Sequence, residues 1–210
     1  MYVQYGCGWS APEGWQNFDA SPTLRFERIP ILGRMYMKND TRFPENVRFG
    51  DIVRGLPIAD GSVQGLYASH VLEHLSLADF RVALANSFKL LAPGGVFRLI
   101  VPDLRERARR YVASSTPDAA SHFMVSTHLG HVARPKGLLA SIKAMLGNSN
   151  HLWMWDEEAM TEELHKAGFT AIRRCAIGDS RDVMFAHVEE AGRFLDGDIP
   201  ELAMECRKAA

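Results

Sequence analysis

The segment that most restricts the fold is residues 63–101, where two apolar runs flank an amphipathic one. Ser76 can cap a helix whose apolar residues recur at helical spacing, and Pro93-Gly94-Gly95 ends it. Residues 63–68 and 96–101 have the composition of strands, and only Arg98 interrupts the second apolar run. Such a run is typical of a central strand covered on both faces. The segment therefore predicts a strand–helix–strand unit in a parallel sheet.

Five further segments have the composition of strands, namely residues 1–5, 15–19, 47–52, 169–177 and 182–188. Residues 9–14 between the first two contain Pro12 and Gly14, which leaves no room for a helix of ordinary length. The last two are separated only by residues 178–180, so we expect them to pair antiparallel. The sequence thus predicts an α/β protein with a seven-stranded, mostly parallel sheet whose last strand is antiparallel.

Helices complete the expected α/β architecture, with helices on both faces of the sheet. Residues 156–167 have a capping residue at one end and Gly168 at the other. Residues 104–150 lack strand signals, and we interpret them as a helical insertion after the fifth strand, with helices near 105–113 and 136–146. The tail to Ala210 is predicted to be helical and peripheral.

Length and charge indicate one domain over residues 1–210 and exclude several classes of protein. The 210 residues are 47% hydrophobic and 23% charged, and 24 basic residues balance 25 acidic ones. This balance argues against binding to nucleic acid, and no apolar run approaches the roughly 18 residues needed for membrane insertion. No signal-peptide pattern is present, so we expect a cytoplasmic location. The three cysteines show no paired spacing.

Small and acidic residues follow three of the predicted strands. Gly6 and Gly8 come after the first strand and let the backbone approach a ligand closely. Asp19 ends the second strand, where a carboxylate can accept hydrogen bonds from a ribose, and Asp51 ends the third. Because open α/β sheets bind ligands at the carboxyl ends of their strands, these residues predict a nucleoside-like ligand.

The order and spacing of these residues resemble those of a known protein family. The motifs are Tyr5-Gly6-Cys7-Gly8, Gly14-Trp15, Asn17, Asp19, Gly50-Asp51, Leu56-Pro57, Asp60-Gly61-Ser62, Ser69-His70-Val71-Leu72-Glu73-His74-Leu75 and Leu91-Ala92-Pro93-Gly94-Gly95. Together they resemble class I S-adenosylmethionine-dependent methyltransferases, which have a Rossmann-like fold. The nearest likeness is to the type-11-like branch that lacks the first helix and is associated with surface polysaccharide synthesis.

The resemblance implies S-adenosylmethionine as the cofactor and assigns roles to individual residues. Gly6, Gly8 and their neighbours Tyr5 and Cys7 would contact its methionine part. The ribose would meet Asp19, and the adenine would meet Asp51 and Ile52. Ser69 and His70 would lie beside the transferred methyl group. His70 and His151 are the candidate catalytic bases, which a hydroxyl acceptor would need.

Two other interpretations remain open. The missing first helix would also suit a module that binds the cofactor without turnover. The run His70-Val71-Leu72-Glu73-His74 matches a zinc-peptidase signature, so a metal-dependent hydrolase using His70, Glu73 and His74 is the second. That signature needs a helix, whereas these residues directly follow a predicted strand and precede the cap at Ser76. A looser site could combine Glu73 and His74 with a histidine of the insertion. We assign no metal ligand from the sequence.

The charge of the insertion gives information about the molecule that accepts the methyl group. Residues 104–150 contain seven basic and two acidic residues, which favours a phosphate- or carboxylate-bearing molecule at that position. We therefore expect a small-molecule or saccharide acceptor that is methylated on oxygen or nitrogen, with residues 104–150 as a cap over it. The basic residues of the cap favour an acceptor of acidic character. A homo-oligomer is compatible with the sequence, which does not define the oligomeric state.

Overall fold

The computed structural model describes residues 1–30, 41–130 and 150–210. Within these ranges, seven strands form one sheet in the order β3-β2-β1-β4-β5-β9-β6. The strands are β1 Tyr2–Tyr5, β2 Trp15–Asp19, β3 Val47–Phe49, β4 Val63–Ser69, β5 Leu91–Val101, β6 Thr170–Arg174 and β9 Leu202–Arg207. A separate two-stranded hairpin joins β7 Leu195–Asp196 to β8 Ile199–Pro200. Only β9 runs against its sheet neighbours, β5 and β6. The predicted α/β class and Rossmann-like seven-stranded sheet are confirmed.

The identity of the antiparallel strand was predicted wrongly. Residues 182–188 contain a short 3-10 helix, Val183–His187, and the antiparallel strand is β9, in the tail predicted to be helical. Residues 178–180 are therefore not a hairpin turn, because β6 already ends at Arg174. The strand pattern of β9 is hidden by Glu205, a buried carboxylate that pairs with Arg98 of β5 and Arg173 of β6. Such a distant ion pair has no local sequence signal.

Six α-helices lie in the described ranges: α1 Pro22–Glu27, α2 Leu77–Leu90, α3 Leu104–Ala113, α4 Ala119–Ser126, α5 Glu157–Lys166 and α6 Ala191–Phe194. The side chains of Ser76 and Asp156 cap α2 and α5 by accepting backbone N–H bonds. The predicted helices near 77–90, 105–113 and 156–167 are confirmed, whereas α1 and α4 were not predicted. The helix predicted at 136–146 lies outside the described residues. In the described part of the chain, no helix is long and apolar enough to cross a membrane.

The two faces of the sheet are covered differently. One face carries the main core, in which Phe80 and Leu84 of α2 and Leu164 of α5 pack on Phe97 and Leu99 of β5. As predicted, no helix joins β1 to β2. The face beside that connection is instead covered by residues 183–194. Here the buried ring of Phe185 lies 5.6 Å from the ring of Trp15. Residues 183–194 thus cover the part of the sheet where a helix between β1 and β2 would pack. We call these residues the covering segment.

Arg98 anchors this covering segment to the sheet. Its guanidinium is buried on β5 and contacts Asp179 at 2.9 Å, Glu189 at 2.7 Å and Glu205 at 2.6 Å. It also donates a hydrogen bond to the carbonyl oxygen of Ala176. Three carboxylates therefore surround one buried cation, and two of them belong to the connection between β6 and α6. This pairing explains the single charged residue in the apolar run of β5.

Candidate functional site

A small cavity lies at the carboxyl ends of β1 and β4. It is lined by Gln4, Tyr5, Gly6, Cys7 and Ser10 on one side, by Tyr67 and Ser69 of β4, and by Val188, Glu190 and Arg193 of the covering segment. Its volume is about 10 Å³, which holds about one water molecule. Pockets for small-molecule ligands are typically about 300 to 1,000 Å³. In this structure the covering segment therefore closes the site predicted for the methionine part of the cofactor.

Both predicted glycines adopt left-handed backbone conformations, but for different reasons. Gly6 has φ of 64°, and a Cβ added there would lie 2.1 Å from Cγ2 of Val71. Gly8 has φ of 56°, and no described atom lies within 4 Å of such a Cβ. Gly6 is thus needed for packing as well as for its conformation, whereas Gly8 is needed for its conformation alone.

Asp19 holds the loop that contains Gly8. Its side chain is largely buried; Oδ2 accepts the Gly8 N–H at 2.9 Å and Oδ1 accepts the Ser21 N–H at 2.7 Å. Each carboxylate oxygen has a second lone pair that can accept a further hydrogen bond. Asp19 lies at the carboxyl end of β2, where the two N–H bonds fix its carboxylate, and its contact with a ribose stays a prediction.

Asp51 and Ile52 follow β3 at the same edge of the sheet. The Oδ1 atom of Asp51 accepts the Val53 N–H at 2.9 Å, and Oδ2 lies 3.5 Å from Nε of Arg54. The side chain of Ile52 is buried in the main core, and its carbonyl oxygen accepts a hydrogen bond from Asn86 at 2.8 Å. Asp51 is thus partly exposed at the predicted adenine position, while the side chain of Ile52 belongs to the core.

Two buried hydroxyl groups of β4 border the cavity. The hydroxyl groups of Tyr67 and Ser69 interact with each other, and neither has a further hydrogen-bond partner among the described residues. Burial raises the pKa of Tyr67, so this hydroxyl stays protonated at neutral pH. Because each hydroxyl can still make further hydrogen bonds, the pair fits a site that takes a polar ligand.

His70 follows β4 and connects two other groups. Its φ is 54°, which is rare for a residue other than glycine. Its Nε2 atom donates to the carbonyl oxygen of Arg193 at 2.9 Å, and its Nδ1 atom lies 3.5 Å from Oε1 of Glu73. Burial lowers the pKa of His70, but the contacts with Glu73 and Arg193 more than offset this, so the net pKa is raised. In this arrangement both ring nitrogens are occupied, so the predicted role as base needs the contact with Arg193 to open.

The second candidate base, His151, lies in a different group of side chains. Its ring is 5.1 Å from that of His74, and its Nδ1 atom is buried without a hydrogen-bond partner in the described ranges. Burial lowers the pKa of His151 to about 4, so the ring is neutral at pH 7. His151 does not line the cavity that Ser69 borders.

Residues 70–74 do not form the helix that a zinc-peptidase signature requires, as predicted. Leu72–His74 is a single turn of 3-10 helix that follows the left-handed His70. Donor atoms of Glu73, His74 and His151 lie within 4.8 Å of one another. The hydrolase interpretation grouped His70 with Glu73 and His74, whereas the structure groups His151 with them. Residue 151 is distant in the sequence, so only the fold reveals this grouping.

The four arginines of the insertion that lie in the described residues are engaged in ion pairs within the fold. Arg107 is buried and forms two hydrogen bonds of 2.9 Å with Glu201. Arg105 contacts Asp156 and Glu158, and Arg109 and Arg110 contact Glu106. The remaining basic residues, Arg134, Lys136 and Lys143, lie outside the described residues. The ion pairs account for the described part of the basic cluster, and they add no support for an acidic acceptor.

Comparisons with known proteins agree with this fold. A family model described as a methyltransferase domain matches residues 12–174, more than half of the chain. The chain is 14% identical to a SAM-dependent methyltransferase, possible histamine N-methyltransferase, from Thermotoga maritima, with coverage of 99% of this chain and 82% of that one and a TM-score of 0.52. It is 15% identical to a possible exported protein from Bordetella parapertussis, with coverage of 100% and 62% and a TM-score of 0.52.

No curated protein sequence matches the chain. At these identities the two solved structures show likeness of fold, and the family model carries the assignment. The matched residues span β2 to β6, including the Asp51, Ser69 and Glu73 positions. The chain therefore belongs to the methyltransferase domain family and is a class I S-adenosylmethionine-dependent methyltransferase.

Proposed function

We propose that this methyltransferase binds its cofactor across the carboxyl ends of β1 to β4 and methylates oxygen or nitrogen of a small-molecule or saccharide acceptor. The observation that carries the proposal is the arrangement around the closed cavity. Gly6, Cys7 and Ser69 border it, and Asp19 is held at the adjacent strand end by the Gly8 N–H. Carboxylates and close backbone at this edge are what a nucleoside ligand requires.

The residues fit the cofactor, but the covering segment must move to admit it. Glu190 and Arg193 fill the space beside Ser69, and a cavity of about 10 Å³ leaves no room for the methionine part. The hydroxyls of Tyr67 and Ser69, which interact with no group but each other among the described residues, would gain further hydrogen-bond partners when a polar ligand replaces these side chains. We infer that residues 188–193 shift when the cofactor binds.

The bound cofactor would supply an electrophilic methyl group on its sulfonium. The protein would hold that methyl in line with the acceptor atom, and such placement contributes about 7 to 11 kcal/mol to lowering a barrier. Asp19 would orient the ribose, Asp51 and the backbone of Ile52 the adenine, and Tyr5 to Gly8 the methionine part. His70 would take the proton of a hydroxyl acceptor once its bond to Arg193 is open.

The acceptor site that we propose lies between this edge and the residues that return from the insertion. The backbone N–H groups of Leu152 and Trp153 donate to the carbonyl oxygen of Glu73 at 2.8 and 3.1 Å. Trp153 is 42% exposed there, whereas Trp155 is buried against Phe80. The indole of Trp153 offers an apolar surface on which a sugar ring could pack. Residues 104–150 would then form the cap over the acceptor.

Calorimetric titration with S-adenosylhomocysteine tests the proposed site. Asp19→Ala should weaken binding at least about tenfold, which corresponds to about 1.4 kcal/mol. The matched control is Asp60→Ala, because Asp60 is exposed in a turn away from the cavity. Circular dichroism on both variants checks that they are folded. Binding that is equally tight in both variants would contradict the assignment of Asp19, and absence of binding by the wild type at millimolar ligand would contradict the proposed site.

A further inference from the structure

Glu73 is a buried carboxylate with only long contacts to imidazole rings among the described residues. Its side chain is 0% exposed. Nδ1 of His70 lies 3.5 Å from Oε1 and Nε2 of His74 lies 3.8 Å from it, and no shorter contact to either carboxylate oxygen is present in the described residues. A carboxylate removed from water normally has close partners or binds a metal ion. The long contact with His70 leaves the Glu73 carboxylate weakly partnered, and a bound cation would give it a close partner.

The ring of His74 is oriented so that one nitrogen can act as a metal ligand. Its Nδ1 atom lies 3.0 Å from the carbonyl oxygen of Asn150, and since a carbonyl only accepts, Nδ1 carries the proton. The lone pair of the neutral ring is then on Nε2, which faces Glu73 at 3.8 Å. A backbone carbonyl that fixes the second ring nitrogen is the usual support for a metal-binding histidine.

His151 completes the cluster. Its Nδ1 atom is buried and unpartnered within the described ranges, and its ring packs edge-on against that of His74. The donor atoms of Glu73, His74 and His151 all lie within 4.8 Å of one another. Donor atoms around a tetrahedral zinc ion are about 3.3 Å apart, for bonds of about 2.0 Å. Small side-chain rotations would bring the donor atoms from their present separations, up to 4.8 Å, to about 3.3 Å.

The backbone holds the two halves of the cluster together. The carbonyl oxygen of Glu73 accepts the N–H groups of Leu152 and Trp153, which directly follow His151. The N–H of His151 itself donates to the carbonyl oxygen of His128 at 3.4 Å. Together with the bond from His74 Nδ1 to the Asn150 carbonyl, the bonds to Glu73 fix the segment that follows the insertion to the turn after β4 on both sides of residue 151. The cluster is therefore part of a tied framework and not a chance encounter of mobile surface groups.

We propose that Glu73, His74 and His151 bind a divalent transition-metal ion, with Zn²⁺ as the best match. Two imidazoles and one carboxylate suit zinc, whereas Mg²⁺ prefers oxygen ligands and retains water. Three protein ligands leave a fourth position open, as in sites where the ion contacts a reactant. If the proposed function holds, that position lies beside His70, on the acceptor side of the cofactor, and would receive an acceptor oxygen.

Metal titration tests the site without any assay of methyl transfer. The full-length protein is stripped with a chelator, checked by circular dichroism and titrated calorimetrically with Zn²⁺ and with Mg²⁺ alone. Co²⁺ is added as a spectroscopic probe, because a tetrahedral site with nitrogen ligands gives a visible absorption band. We expect one equivalent of Zn²⁺ to bind, Mg²⁺ to bind far more weakly, and Co²⁺ to show that band.

Glu73→Gln and His151→Gln should each weaken Zn²⁺ binding about 100-fold or more. Changing a residue that only supports a metal ligand already lowers metal affinity about 10- to 100-fold, and loss of a ligand should lower it at least as much. His122→Gln is the matched control, since His122 is an exposed histidine that pairs only with Asp118 in this structure. Wild-type protein that binds no Zn²⁺, or folded Glu73→Gln and His151→Gln proteins that both bind it like the control, would overturn the proposal. Titration with S-adenosylhomocysteine is a separate readout, so failure of the metal site and failure of the proposed function are distinguishable.

Discussion

The Nε2 atom of His70 donates a hydrogen bond to the carbonyl oxygen of Arg193 at 2.9 Å. This bond links the end of β4, where the methyl group is proposed to be transferred, to the segment that covers the sheet. The same segment closes the cavity beside Ser69 with the side chains of Glu190 and Arg193. The bond therefore joins a candidate catalytic residue to the segment that is proposed to move when the cofactor binds.

Loss of this bond should loosen the covering segment. We expect His70→Asn to keep the left-handed backbone, which asparagine tolerates, but to be too short to reach Arg193. A net hydrogen bond contributes about 1 kcal/mol, so amide exchange over residues 188–194 should become about fivefold faster. Hydrogen exchange with mass spectrometry measures this, with His122→Asn as the control. Unchanged exchange over 188–194 would show that the bond does not hold the segment.

Alanine substitutions at Gly6 and Gly8 should lower the free energy of unfolding by different amounts. Gly8→Ala introduces only a left-handed alanine, at about 1 to 2 kcal/mol, because space is open around it within the described structure. Gly6→Ala adds a clash with Val71, and overpacking costs about 1 to 3 kcal/mol more. Thermal unfolding measures the difference at about 2 to 4 °C per kcal/mol. The double variant Gly6→Ala with Val71→Ala should recover the part of the stability loss that comes from the clash. If the losses of the two single variants simply add in the double variant, the clash is not the cause.

Removal of the Arg98 guanidinium should destabilise the protein strongly. Arg98→Met would leave Glu189 buried without its cation and would leave Glu205 with only its longer contact to Arg173, and a buried unpaired charge costs about 3 to 5 kcal/mol. We expect the unfolding temperature to fall by at least about 6 °C. Arg181→Met, at an exposed position of the same connection, should change it by less than about 2 °C. Equal effects of the two substitutions would contradict the role given to the buried cluster.

Acid should weaken the same cluster through Asp179. Burial raises the pKa of Asp179. Hydrogen bonds from Arg173, from the Ala176 N–H and from Arg98 lower this pKa by more than burial raises it, so the net pKa lies below the ordinary value of 3.8. A lowered folded-state pKa stabilises the fold above the unfolded-state value, and this stabilisation is lost as the pH falls below about 4. Asp179→Asn should therefore have a lower unfolding temperature at pH 7 and a shallower decline between pH 5 and pH 3. A decline as steep as that of the wild type would assign the acid sensitivity to other carboxylates.

Local patterns predicted much of the sheet and its helices. The capping residues Ser76 and Asp156 mark helices that form where expected, because a cap depends on a few neighbouring residues. Residues 9–14 are too short and too rich in breakers for a helix, and they form none. The positions of Gly6, Asp19 and Asp51 at strand ends follow directly from the strand assignments, since parallel strands present their carboxyl ends at one edge.

Interactions between distant residues decided what the sequence did not reveal. The strand Leu202–Arg207 is stabilised by pairing with β5 and by the bond from Arg98 to Glu205, and the insertion's Arg107 is neutralised by Glu201. The cluster proposed to bind a metal ion forms because the chain brings His151 back to the turn that carries Glu73 and His74. Periodicity and motif spacing were enough to predict the α/β class and the family, and they also gave the edge of the sheet that is proposed to bind the cofactor. Only the folded structure shows which strand is antiparallel, which segment occupies the position of the absent helix and which histidine groups with Glu73 and His74, because burial and charge pairing act across the whole fold.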